Sequence, residues 1–418
     1  MSQSDWESEY EKYKRSPEFL VLNSKMTLEE FKSIYWMEWI HRIWGRVVGL
    51  TFVVPAVYFV ARGRVSKKMS AKLLGISGLI GFQGFIGWWM VKSGLKDDFL
   101  TPGQKAGRDV PRVSQYRLAA HLGTAFVAYL SMLWCGLDIL RTNKLVKQGV
   151  DKASAELYML RNPRLKTFKL AVATLLGLTF TTAMSGALVA GLDAGLIYNE
   201  FPYMGLGITP PFSELFDKFY LRDRDTEKDL WWRNMLENPS LVQLDHRILA
   251  TSTFCAVHAL YFWTKFSPTL HMMLPRAALR GVHGVLGFVW LQVILGISTL
   301  IYMVPVPLAS AHQAGALALL SWTTVLGSRI WLPRAAIEVL KKRAGGARQG
   351  AKYELPAVEK VQPNYGGGPV LQASVASAAV AAAASLMLAA KLEAHNKDVR
   401  ETRAEQERLK FLQWQSRG

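Results

Sequence analysis

Apolar residues along this chain gather in long uninterrupted blocks instead of alternating with polar ones. Seven blocks cover residues 43–61, 73–91, 118–140, 168–190, 247–264, 282–304 and 311–332, and an Ala-rich eighth covers 370–392. Each is close to the roughly 20 residues a helix needs to cross a hydrocarbon layer about 30 Å thick. A spanning segment must satisfy its own backbone, which favours helices over open strands here. The pattern therefore predicts an all-α polytopic membrane protein folded as a helix bundle.

The polar connections between blocks are of two kinds. Arg62–Lys72, Arg141–Lys169, Lys265–Arg280 and Arg329–Lys352 are rich in Lys and Arg and nearly free of acids. The alternating ones, Lys92–Arg117 and Gly191–Asp245, carry Asp97, Asp98, Asp109, Asp223, Asp225 and Asp229. The positive-inside rule puts the first set on the cytoplasmic side or its mitochondrial counterpart, the matrix, and the second set opposite. Topology thus accounts for the net charge of +18. A nucleic-acid surface would instead need one basic patch interleaved with aromatics. Membrane lipid is the expected surrounding, and no nucleic-acid partner is expected. The two cysteines, Cys135 and Cys255, fall inside predicted spans, which argues against a disulfide framework or a covalent CxxCH heme attachment. Residues 1–20 contain Glu7, Glu9, Glu11 and Glu18, unlike an acid-poor transit peptide.

The blocks repeat. Glu38-Trp39-Ile40-His41-Arg42 precedes a span, Gln83-x3-Gly87 lies in the next, and His121 opens a third. Leu244-Asp245-His246-Arg247, Gln292-x3-Gly296 and His312 follow the same order. The His-to-Gln separations are 42 and 46 residues. Two pseudo-symmetric four-helix halves are the expected architecture, but nothing apolar precedes residue 40, so the first helix of the N-terminal half is expected to be absent from this chain. Truncation or a separate peptide would explain that, and the Ala-rich block, whose small residues suit close helix packing, is a poorer substitute. The expected organisation is a polar segment at 1–40 and a three-span half bundle at 41–140. A basic loop follows at 141–167, then a four-span half bundle at 168–335 and a basic, Gly-rich linker at 336–369. The Ala-rich span at 370–392 and a charged helical tail at 393–418 complete it.

His41, His121, His246 and His312 each sit at the expected first turn of a span, all on the acid-bearing side. Ionisable groups in a bundle are costly and point to function, and neutral imidazole is an axial ligand for heme iron. Gly45, Ala125, Ala250 and Gly315 lie about a turn away, where small side chains would let a flat macrocycle approach. Arg42 and Arg247 follow two of the histidines and could meet heme propionates with bidentate hydrogen bonds, or snorkel to the interface. Placement of both pairs at one depth disfavours a transmembrane electron relay, which needs hemes stacked across the bilayer. Glu38 breaks the symmetry, since its counterpart is Gln243. Three residues before His41, it shares that face and could serve as a base or stabilise a cationic intermediate, or be a solvated carboxylate. His258, His271, His283 and His395 read as structural.

Phe31 to Arg46, Pro111 to His121, Gly191-Leu192-Asp193-Ala194-Gly195 through Tyr198-Asn199, and Gln243 to Arg247 resemble the mitochondrial form of heme A synthase, over residues 6–335. The resemblance implies an eight-helix protein of the inner mitochondrial membrane with heme sites on the intermembrane-space side. It implies oxidation of the C8 methyl of heme O to a formyl group, giving heme A for cytochrome c oxidase. It also implies His246 and His312 as ligands of a heme b cofactor, His41 and His121 as the substrate heme pair, and Glu38 as the catalytic carboxylate. An electron acceptor is needed, and heme O synthase or oxidase assembly factors are further candidate partners. The cysteine pair that many bacterial relatives carry in an outer loop has no counterpart in residues 191–243, nor does the family's first helix with its Gly-Gly and Thr-Arg motif appear. A non-catalytic heme-binding assembly or delivery factor is the alternative. A transporter, which would show polar groups at the membrane midplane and broken spans, is a poorer match.

Overall fold

The structure is a computed structural model that describes residues 1–94, 113–222 and 225–347. The Ala-rich block 370–392, the tail 393–418 and most of the linker 336–369 lie outside the described residues. The N-terminal helices are α1 (Gln3–Lys14), α2 (Pro17–Val21), α3 (Leu28–Ala61), α4 (Lys67–Gly94) and α5 (Gln115–Lys147). After them come α6 (Val150–Arg161), α7 (Lys166–Gly191), α8 (Phe212–Leu215) and α9 (Leu230–Glu237). The last five are α10 (Pro239–Phe266), α11 (Pro268–Met273), α12 (Arg276–Ile301), α13 (Val306–Ile330) and α14 (Arg334–Ala347). No strand occurs among the described residues. α3, α4, α5, α7 and α12 are long and apolar enough to cross a membrane. The chain is thus an all-α polytopic membrane protein. α10 and α13, at 28 and 25 residues, are also long enough to span, but Gln243, Asp245, His246 and Arg247 in one and Ser310, His312 and Gln313 in the other dilute their apolar character.

Each of the seven blocks among the described residues falls in a helix, two of them running two or three residues past its end, and every one of these helices begins earlier than its block. In α3 the Thr27 hydroxyl accepts from the Glu30 N–H while the Glu30 carboxylate accepts from the Thr27 N–H. This reciprocal cap starts the helix well before the first apolar run. Asn238 caps α10 through the Ser240 N–H, with Pro239 at the first helical position. His41 therefore lies thirteen residues after Leu28, and His121, His246 and His312 lie six or seven residues into their helices. The expectation that each histidine occupies a first turn is corrected accordingly. Hydropathy marks where hydrocarbon begins, whereas polar caps decide where the helix does.

The chain divides into two compact units, Met1–Gly136 with Gly186–Leu192, and Leu137–Ser185 with the residues from Asp193 onward. In the first, the stretch expected as a polar segment is largely helical. Trp6 packs edge-on to Tyr35 with centroids 5.1 Å apart, and Tyr13 stacks on Phe31 at 5.1 Å, so aromatic contacts tie α1 to the start of α3. α3 packs on α4, where Ile80 lies 3.3 Å from a Cβ built on Gly49. Beyond that it buries only Phe31 and Ala56 and exposes Trp39, Trp44 and Val54, an apolar surface suited to lipid.

The second unit has the larger core. Phe168 and Val172 of α7, Val257 and Leu260 of α10, Val282, Val285 and Val289 of α12, and Leu319, Leu326 and Ile330 of α13 form one buried cluster. α12 meets α13 at two glycines. A Cβ on Gly284 would fall 1.7 Å from Trp322 Nε1, and that N–H donates to the Gly281 carbonyl at 3.0 Å. The basic connection after α5 is not a loop. Ala153 and Leu157, four apart on α6, join Leu145, Ala336 and Leu340 in a small core, and Arg141 donates to the Trp331 carbonyl and pairs with Glu156 at 3.6 Å.

Candidate functional site

In the second unit α10 and α13 bring His246 and His312 together, with ring centroids 6.5 Å apart and planes at 88°. Two imidazoles on opposite faces of one iron, with metal–nitrogen bonds of about 2 Å and about 1 Å more to each ring centre, have centroids about 6 Å apart. The observed spacing fits a shared heme iron. The tautomer is set as well. The Ser185 hydroxyl on α7 donates to the Thr182 carbonyl at 2.8 Å, so its oxygen is free to accept the His246 Nδ1–H at 2.8 Å. That leaves His246 Nε2 unprotonated and available to a metal, the usual outer-shell device for a ligand histidine. His312 Nδ1 is buried without a partner, which leaves Nε2 as its accessible nitrogen.

The first unit repeats part of this arrangement. His41 on α3 lies within electrostatic reach of His121 on α5. The rings of His121 on α5 and His312 on α13 are seated alike. His121 Cε1 lies 2.9 Å from a Cβ built on Gly87, and His312 Cε1 lies 3.0 Å from one built on Gly296. The Gln-x3-Gly repeat is thereby explained, because its glycine is the only residue type that lets a histidine from the next helix lie against the backbone. Spacing alone flagged these glycines without revealing what they face. Ser185 was missed altogether, being one of many hydroxyls on α7. Among the described residues no three His, Cys, Asp or Glu converge as a metal cage, so the histidines group as pairs.

The residues flanking the histidines have diverged. Glu38 forms an ion pair with Arg42 one turn on, both side chains about half exposed, at 50% and 53%. Their counterparts Gln243 and Arg247 both turn their hydrogen bonds to the loop. Gln243 Nε2 donates to the Tyr198 carbonyl at 2.9 Å. Arg247 donates to the carbonyls of Tyr198, Glu200, Pro202 and Tyr203, at 3.2, 2.9, 3.3 and 3.1 Å. Only its Nε is buried without a partner, so a propionate contact by Arg247 would use that one group. Of the small residues expected to make room for a macrocycle, Gly45 has nothing within 4 Å of a built Cβ. Gly315 does not fit that expectation, since the Gln292 amide nitrogen already occupies its Cβ space at 2.0 Å.

The Gly191–Asn199 motif forms the turn out of α7. Gly191 packs against the Gln115 backbone, its built Cβ lying 2.7 Å from Cα, and Asp193 takes a left-handed φ of 52°. In the second unit Asn199 donates to the Gly195 and Leu300 carbonyls at 2.8 and 2.9 Å, tying the loop to the end of α12. Further along, Tyr198 donates to Glu214 at 2.6 Å, and burial together with that carboxylate pushes the phenol well above its ordinary range. His258 and His283 donate Nδ1–H to the carbonyls of Phe254 and Leu279, four residues back. Cys135 and Cys255 are free thiols on α5 and α10.

The profile of the family described as cytochrome oxidase assembly protein, COX15-CtaA, matches residues 1–324. Heme A synthase COX15 of Saccharomyces cerevisiae is 49% identical over 335 residues, covering 80% of this chain and 67% of that protein. Heme A synthase COX15 of Homo sapiens is 44% identical over 320 residues, covering 77% and 69%. A heme A synthase–mitochondrial ferredoxin fusion protein of Schizosaccharomyces pombe is 45% identical over 333 residues, covering 79% and 53%. The chain thus spans about two thirds of the first two relatives and about half of the third.

Proposed function

The chain belongs to the COX15-CtaA cytochrome oxidase assembly family, and on that premise we propose that it is a heme A synthase, a mitochondrial membrane oxidoreductase that converts the C8 methyl of heme O to the formyl group of heme A. The observation that carries the reading is the histidine pair His246–His312 at 6.5 Å, in a chain 49% identical to a heme A synthase. His246 and His312 hold heme b, which when bound supplies a one-electron redox couple. His41 and His121 receive the substrate heme.

The net reaction takes a methyl group and one water to a formyl group and releases four electrons and four protons, so an electron acceptor is required. The fusion of a relative to mitochondrial ferredoxin supports an electron-transfer partner of that kind. Ser185 keeps His246 in the tautomer that binds metal through Nε2. Glu38, one turn from His41, is the carboxylate that takes up a proton at the substrate. Arg42 orients it through a charge-assisted hydrogen bond. The basic loops face the matrix of the inner membrane and the acidic ones the intermembrane space. Residues 41–140 form the substrate half and 168–335 the cofactor half.

Replacing Glu38 with Gln in cells lacking their own heme A synthase tests the chemistry. Extracted heme is expected to contain heme O and no heme A, while the histidine-bound heme spectrum of the variant stays intact. Normal heme A with the variant would refute the role of Glu38. If the unaltered chain made none either, the reading would pass to a non-catalytic heme-delivery factor.

A further inference from the structure

The two Gln-x3-Gly segments place their glutamines differently. In the first unit Gln83 Nε2 lies 3.3 Å from His121 Nε2, and the Thr124 hydroxyl, one turn beyond His121, is hydrogen-bonded to Gln83 Oε1. Thr124 is itself fixed against its own helix, 2.8 Å from the Ala120 carbonyl. In the second unit the residue three beyond His312 is Gly315, where Gln292 Nε2 lies 2.0 Å from a built Cβ and has no hydrogen-bond partner. Among the described residues His312 has no hydrogen bond to either nitrogen. One substitution between the halves, threonine against glycine, thus separates a glutamine that engages its histidine from one that is drawn away from it.

His121 Nδ1 is buried without a partner, so iron can reach this ring only through Nε2, the atom Gln83 holds. Turning the Gln83 amide over exchanges donor and acceptor but leaves Nε2 engaged, now as an N–H. Either way the Nε2 lone pair cannot serve Gln83 and a metal at once. Resting on the assignment of His121 to the substrate heme, we propose that Gln83, latched by Thr124, competes with heme iron for His121 and makes that heme exchangeable, whereas Gly315 parks Gln292 and leaves the heme on His312 resident. An enzyme whose substrate and cofactor are both hemes held by histidines needs such a difference, because the metal–ligand chemistry is otherwise the same at both sites.

The test uses the full chain in lipid nanodiscs, loaded with heme b at both sites, with heme release followed spectrally into excess apomyoglobin. A fast phase from the His121 site and a slow phase from the His312 site are expected. Gln83→Leu and Thr124→Val should slow the fast phase by several-fold, up to about tenfold for the net worth of one hydrogen bond, and leave the slow phase alone. That direction separates a latch from ordinary support, whose loss would speed release. The unchanged slow phase certifies that each variant is folded. Gly315→Thr should quicken the slow phase, and adding Gln292→Leu should restore it. A fast phase unchanged or quickened in both Gln83→Leu and Thr124→Val overturns the latch. A fast phase that survives His121→Ala would instead overturn the ligand assignment on which it rests.

Discussion

Replacing Gly296 with alanine tests the proposed cofactor site with a single methyl group. The new Cβ would stand 3.0 Å from His312 Cε1, where carbon atoms normally rest about 3.5–4.0 Å apart. The ring or α12 must therefore yield by at least about 0.5 Å. On the proposed assignment the ring would also be constrained from the other side, because a shared iron would hold it at a fixed spacing from His246, whose ring centroid is 6.5 Å away. Overpacking of this kind costs about 1–3 kcal/mol, and a penalty falling on the liganded geometry weakens heme retention by roughly 5–150-fold.

The assay is heme b content per protein after purification, with the low-spin bis-histidine spectrum as a second reading. Gly287→Ala on the same helix is the control, since a Cβ there meets nothing within 4 Å. Alanine in a helix should be neutral or stabilising at that position by up to about 1 kcal/mol. Equal heme loss in both variants would show that α12 is merely sensitive to alanine. Full retention in Gly296→Ala would show that His312 is not seated where heme requires it. Gly87→Ala and Gly84→Ala make the same comparison for His121, with 2.9 Å to Cε1 against nothing within 4 Å.

Ser185→Ala removes the acceptor for His246 Nδ1–H. It should weaken heme b retention about 2–10-fold, as for one hydrogen bond, and raise the midpoint potential by making the imidazole a poorer donor, read by spectroelectrochemical titration. Gly284→Ala collides with Trp322 Nε1 and removes its bond to Gly281. A loss of about 1–3 kcal/mol should appear as a lowered thermal midpoint in detergent, abolished if Trp322 is first made Leu. Arg247→Lys cannot reproduce four carbonyl contacts from one ammonium. Limited proteolysis should open the 198–203 loop in that variant without altering the fragments from the first unit.

Hydropathy made the helices legible because crossing a membrane imposes one length and one composition on each. The helix starts were not legible from hydropathy, since Thr27 with Glu30 and Asn238 with Pro239 act through local hydrogen bonding that apolar periodicity does not register. The four histidines could be picked out because a repeat placed them twice over. What seats them could not, because a glycine in a Gln-x3-Gly run looks the same whether it faces lipid or a ring on the next helix. Gly315 was misread for a related reason. Its small size suggested room for a ligand, yet the structure fills that room with a side chain from α12. Spacing reports which residues share a face, and the occupant of a gap comes from another element.

The divergence of the halves follows a single physical theme. In the second half, polar groups beside the histidines are turned toward protein. Gln243 and Arg247 clamp a loop, Ser185 holds a tautomer, and Gln292 lies over Gly315. On the proposed assignment Ser185 would fix a ligand and Gly315 would draw a competitor away from the metal, which suits a group that stays. In the first half the same positions keep their polar groups available. Glu38 and Arg42 pair with each other at half exposure, and Gln83 lies against the ring of His121. Glu38 and Arg42 can part and re-form at low cost, because no buried partner is orphaned when they move. On the proposed assignment, two halves that carry the same histidines would divide into holder and reactor through the neighbours of those histidines alone.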